Sequence, residues 1–107
     1  MKTIKGIFLS ILLIFTASVS AAKVKTGIEV LRADGFKLLE GKRVGLTTNP
    51  TGVDSNLKST IDILWEAENV NLVALYGPEH GVRGNVHAGD VVDNEVDKKT
   101  GLKMYPL

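Results

Sequence analysis

Eight residues, GPEHGVRG at positions 77–84, place a glutamate, a histidine and an arginine within five positions of one another, bounded by glycines. A tight turn requires glycine and proline but has no use for three ionisable groups, so the segment is a candidate for binding or catalysis. Glu79 serves as a general acid or base if an apolar rim raises its pKa towards neutrality. His80 offers a hydrogen bond to a hydroxyl or shares a proton. Arg83 suits a carboxylate, either a ligand's or that of Glu79. A second loop, TTNPTG at 47–52, contributes Asn49, whose amide offers both a donor and an acceptor to a sugar hydroxyl or acetamido group. The competing reading is structural: a tight turn in which Glu79 caps a helix and Arg83 pairs with it. Spacing alone leaves both open.

Other chemistries fit less well. Glu79, His80, His87 and Asp90 contain no two-histidine helical spacing, and a single loop would supply every ligand, so no metal is expected. The glycines at 77, 81, 84 and 89 match neither GxGxxG nor GxxxxGK[ST], which removes the common phosphate cradles. No cofactor is expected. Trp65 falls on an apolar helical stripe and reads as core. The charges Asp90, Asp93, Glu95, Asp97, Lys98 and Lys99 read as a solvated loop.

The two loops need a scaffold, and the intervening pattern supplies one. Lys42 to Thr48 reads as a strand, closed by the Asn49–Gly52 turn. Ile61, Leu64 and Trp65 recur at helical spacing behind Ser59, a suitable N-cap with Asp62 three residues on. Val70 to Tyr76 (VNLVALY) is an almost continuous apolar run, as in a strand covered on both faces. Strand, helix and strand form a βαβ unit with parallel strands and a right-handed crossover. The expected class is therefore α/β, with both loops at the carboxyl ends of the strands, where ligands bind in open α/β sheets. Upstream, Thr26 can cap a short helix over Gly27 to Arg32 that Asp34-Gly35 stops, and Phe36, Leu38 and Leu39 form a small apolar cluster. After Gly84 no period is sustained until LKMYPL at 102–107.

The N-terminus precedes this unit as a targeting segment. Lys2 and Lys5 lead an apolar stretch, GIFLSILLIFTA, that ends in small residues before Ala21 and Ala22. This is the pattern of a secretory signal peptide over residues 1–21, cleaved after 21 or 22, and it is too short for a membrane span. Cleavage removes two lysines and leaves 11 cationic against 12 anionic side chains. A near-neutral chain has no basic face for nucleic acid or for a membrane surface. The absence of cysteine excludes disulfides and a lipid-modified cysteine alike. A periplasmic or secreted protein is expected.

Three strings carry a resemblance: GLTTNPTGVDSNLKSTIDIL, NLVALYGPEHGVRG and AGDVVDNEVDKKTGLKMYPL. In this order and spacing the chain resembles the exo-β-N-acetylmuramidase family, long known as a domain of unknown function, over roughly residues 26 to 107. The resemblance implies a Rossmann-like α/β domain and the removal of N-acetylmuramic acid from non-reducing ends of peptidoglycan fragments, with muropeptides or disaccharides as partners. It also implies Glu79 as catalytic residue, with Asn49, His80 and Arg83 in substrate binding. Members run to several hundred residues, so the chain reads as the N-terminal part of a larger domain, inactive and marginally stable alone. Glycosidases use two carboxyl groups, and only Glu79 is evident. The alternative is a periplasmic module that binds a muropeptide or other sugar without cleaving it.

Overall fold

A computed structural model of the chain describes residues 21–78, 81–84 and 96–107. The signal segment up to residue 20, and Glu79, His80, His87, Asp90, Asp93 and Glu95, lie outside the described residues. Among the described residues no helix is long and apolar enough to cross a membrane.

Helix α1 (Gly27–Ala33) follows Thr26. The Glu29 carboxylate accepts from the Thr26 backbone N–H at 2.7 Å and from its hydroxyl at 3.0 Å, satisfying a donor that the helix start would otherwise leave bare. The helix ends where Gly35 N–H donates to Arg32 C=O and Phe36 N–H to Leu31 C=O. This pairing needs a left-handed residue at 35, and glycine takes φ of 70° there at no steric cost. It swings Phe36 into the core, where Ile28 and Leu31 of α1 also pack. The expected Phe36–Leu38–Leu39 cluster is corrected in one member: a 3-10 turn at Lys37–Leu39 sends Leu38 into solvent.

Among the described residues three parallel strands follow in the order β1 (Arg43–Thr47), β2 (Asn71–Gly77), β3 (Met104–Pro106). The class is α/β, and β1, helix α2 (Thr60–Glu66) and β2 form the expected parallel βαβ unit. The third strand is an addition that the sequence pattern of the tail did not disclose.

From Leu72 to Gly77 no residue of β2 is exposed, with the adjacent Ala74 and Leu75 both buried on opposite faces, but the two faces are covered differently. Val44 lies opposite Leu72 and Leu46 opposite Leu75, with a register shift between. Val73 is the extra residue, so a bulge brings Leu72 and Leu75, three apart, onto one face. That face meets Ile61, Ile63, Leu64, Phe36 and Val82 in the core. On the other face Tyr76, half-buried, stacks on Tyr105 with centroids 5.2 Å apart, and Lys103 Nζ stands 5.1 Å from the Tyr105 ring. A Cβ on Gly45 would lie 3.0 Å from the Tyr76 ring, so the aromatic side chain covers the strand glycine. The far face is thus partly closed by the strands' own side chains.

In α2, Ser59 accepts from Ile61 N–H at 3.2 Å, as its N-cap role predicts. The helix is buried all the way round from Ile61 to Leu64, because the sheet lies on one side and Phe36 on another. Trp65, expected in the core, is 44% exposed. The helix ends one residue later, at Glu66, so Trp65 sits at its rim rather than in its buried middle.

Candidate functional site

The carboxyl ends of all three strands converge. Thr48 N–H donates to Tyr76 C=O at 2.9 Å and Leu107 N–H to Gly77 C=O at 3.0 Å. These bonds hold the first residue after β1 and the last of the chain against β2. The 48–52 loop turns back through a Gly52 N–H bond to Asn49 C=O at 3.0 Å. Glycine at 52 keeps this turn tight, since a Cβ there would displace the Thr48 hydroxyl and lie 3.2 Å from the Asn49 carbonyl.

The loop after β2 is anchored on both sides of Glu79 and His80. Gly81 N–H donates to Pro78 C=O at 2.8 Å, and Val82 is buried against the strand end. A Cβ on Gly77 would stand 2.6 Å from Val82 Cγ1 and 3.3 Å from Val82 N. Gly77→Ala is therefore expected to force the loop off β2 and cost about 1–3 kcal/mol. A fall in Tm of at least about 4 °C checks it, and an unchanged Tm would contradict it. Gly84, with φ of 76°, passes so close to Pro50 that a Cβ would come within 3.0 Å of its ring. The two loops flagged by composition are therefore in contact. Together they border an open depression of about 460 Å³ lined by Thr47, Thr48, Asn49, Gly52, Pro78 and Leu107.

Asn49 stands at this depression with its chemistry half used. Its side-chain oxygen accepts from Thr51 N–H at 3.1 Å and from the Thr51 hydroxyl at 2.8 Å. Two donors fill a carbonyl's lone pairs, so Asn49 brings its amide donor, not the donor and acceptor expected. Thr47 and Thr48, the first residues of the TTNPTG segment, line the same wall. Among the described residues that line it there is no side-chain carboxylate.

Arg83 is held on the protein itself. Its Nε donates to Asp97 at 2.6 Å, and its second guanidinium nitrogen donates to Asp97 at 3.0 Å and to Asp62 at 2.9 Å. Asp97 also accepts from Thr100 N–H at 3.1 Å and from its hydroxyl at 2.6 Å, and Lys99 Nζ donates to Asp62 at 2.6 Å. The side chains of Asp97, Asp62 and Arg83 are only 4%, 11% and 22% exposed. The solvated-loop reading of 97–99 is thereby corrected for Asp97 alone: Lys98 is exposed, and Lys99, though bonded to Asp62, keeps 59% of its side chain in solvent. Asp62 is a partner of Arg83 rather than a capping residue. The signal for Asp97 was present in DKKTG: an Asp three residues before Thr-Gly can close its own turn through its side chain, here by accepting from Thr100 N–H at 3.1 Å.

The electrostatics follow. Burial works to raise the Asp62 and Asp97 carboxyls, but the hydrogen bonds from Arg83, joined by Lys99 on Asp62 and Thr100 on Asp97, outweigh it, so both lie below the usual range. Arg83 is raised, chiefly by its bonds to Asp97. Asp54, buried under the 54–58 loop, is lowered first by the Lys58 N–H, with help from Asn56 N–H and Arg32. Glu29, bonded to the Ser55 hydroxyl and then to Thr26, falls to about 2 from an ordinary 4.5.

All four are depressed acids, so each contributes stability that is present above its unfolded pKa and lost as pH falls through the folded one. The urea midpoint is expected to be level above about pH 5 and to decline between about pH 4.5 and 2 as these acids protonate. Glu29→Gln should flatten part of that decline, and an identical slope in the variant would refute the assignment. A second depression, of about 310 Å³, is lined by Lys23, Lys25, Glu29, Arg32 and Ala33 at α1, where it shares no lining residue with the cleft. Among the described residues no group of three metal-ligating side chains exists; the sequence-level candidates for one lie outside them.

The family described as Exo-beta-N-acetylmuramidase NamZ, N-terminal, has a model that matches residues 44–107, from β1 through both loops to the end of the chain. The chain belongs to the exo-β-N-acetylmuramidase NamZ family. Within the NamZ family, the Bacillus subtilis (strain 168) protein named peptidoglycan beta-N-acetylmuramidase NamZ is 55% identical over 85 residues, which cover 79% of this chain and 20% of that one. A crystal structure of a DUF1343 family protein from Bacteroides fragilis NCTC 9343 matches with a TM-score of 0.67 at 70% identity, over 77% of this chain and 20% of that chain. The chain spans about a fifth of the length of either relative.

Proposed function

We propose that this chain forms one wall of the active site of an exo-acting glycosidase that releases N-acetylmuramic acid from non-reducing ends of peptidoglycan fragments. The observation that carries the reading is the contact between the Asn49–Gly52 loop and the Gly81–Gly84 loop at the ends of three parallel strands. Pro78, the residue before Glu79, lines an open depression of about 460 Å³ at those strand ends together with Thr47, Thr48 and Asn49, which supports a substrate site there. Membership of the NamZ family supplies the substrate class. Glu79 is the acid/base. His80 and the Asn49 amide bind sugar hydroxyls or the acetamido group. Arg83, engaged by two carboxylates, holds its loop in place, and any contribution it makes to the substrate's carboxylate is secondary. The N-terminal segment directs export, with the mature chain beginning at Ala22 or Lys23.

The test uses a protein of the relatives' length in which residues 22–107 replace the matching fifth of the Bacteroides fragilis chain. Free N-acetylmuramic acid should be released from a muramic acid glycoside. Saturable binding by calorimetry without released sugar would instead show a binding module.

A further inference from the structure

Arg83 is separated from β2 by a loop, yet its guanidinium is fixed at two carboxylates that belong to other elements: Asp62 in the first turn of α2, and Asp97 in the turn that leads into β3. The bond to Asp97 is a two-point one through Nε and a terminal nitrogen, a geometry that fixes orientation as well as distance. Asp97 is in turn immobilised by Thr100 through both backbone and hydroxyl. Its own N–H donates to Leu102 C=O at 2.8 Å. The loop after β2 is therefore pinned at its start by Gly77–Val82 packing and at its end by a residue twenty positions from the strand it serves.

We propose that Asp97 is a positioning residue for the Gly77–Gly84 loop. Through Arg83 it sets where that loop stands over the strand ends, and it links the loop to β3 rather than to β2 alone. This deepens the functional reading above and rests on it for the importance of the loop, but its test requires no substrate, so the two can fail separately.

The test is amide hydrogen exchange by NMR on the full chain, comparing wild type with Asp97→Asn, which keeps size and removes the charge. Exchange at Gly81, whose N–H is bonded to Pro78 C=O, should accelerate about tenfold or more, while Ile63, bonded to Ser59 C=O in α2, keeps its protection. The ring signals of His80 should shift in the same variant. A residue of merely structural importance would loosen Gly81 and Ile63 together, and that result, or unchanged exchange at both, overturns the proposal. Thr100→Val covers the case in which Asp97→Asn does not fold. It retains both charges and removes the hydroxyl's bond to Asp97 together with the one it accepts from Leu102 N–H beside β3, so a smaller acceleration that reaches Gly81 but spares Ile63 is expected. A uniform or absent response in that variant also overturns the proposal.

Discussion

Glu79→Gln is expected to lower kcat about 10²- to 10⁴-fold in the relative-length protein described above, the range for loss of a positioned acid or base. Glutamine keeps the shape of the side chain and its capacity to hydrogen-bond but cannot deliver a proton to the leaving oxygen. The loss should fall on kcat and kcat/KM together with KM little changed, since proton transfer occurs only in the transition state. Glycosidases pair two carboxyl groups, about 5 to 5.5 Å apart for retention and 6.5 to 9.5 Å for inversion. Among the described residues Asp54, Asp62 and Asp97 are each bonded to a cation, and none lines the cleft. The partner of Glu79 is therefore sought outside them or in the substrate's own acetamido group. Ordinary turnover by the Gln variant with a chromogenic muramic acid glycoside would remove the acid/base assignment.

The largest expected effect on stability is that of Arg83→Met. Methionine matches the apolar stem but leaves Asp62 and Asp97 facing each other in a site that admits little water, with only Lys99 to offset them. Breaking a buried pair in this way costs about 3–5 kcal/mol, and the partial exposure of Arg83 favours the lower figure. Even about 3 kcal/mol is most of the stability of a marginal domain, so the urea midpoint should fall steeply. Arg83→Lys should recover only part of the loss, because an ammonium cannot span the two oxygens of Asp97 as the guanidinium does. A midpoint unchanged in Arg83→Met would mean that the network contributes nothing. By contrast, Lys58 and Glu66 form a solvent-exposed pair, and its removal should be nearly silent.

These expectations also show how far the residues could be read in order. The capping pattern of Thr26 and Glu29, the stop at Gly35, the turn at Asn49–Gly52 and the N-cap at Ser59 are all local. Each depends on hydrogen bonds within five positions, and each is where its residue types place it. The βαβ unit was legible for the same reason, since hydrophobic period and length separate strand from helix. The misreadings share another cause. Trp65 was assigned to the core by helical spacing, but spacing cannot say where neighbouring elements stop. The cover over both faces of Val70 to Tyr76 was legible, but the bulge at Val73 was not, because a bulge leaves no mark in an apolar run.

The sequence by itself determined the parallel α/β unit, the two loops at its carboxyl end and the residue types available for chemistry there. All of these follow from local propensity, periodicity and the fixed topology of a βαβ crossover. Only the tertiary structure decided what those residues are free to do. Arg83 meets Asp62 and Asp97, 21 and 14 positions away, and no pattern in the chain announces which of many carboxylates a long side chain will reach. Met104–Pro106 becomes a strand because β2 offers it an open edge. A charge is solvated or buried according to what folds over it, and that is a property of contacts distant in sequence.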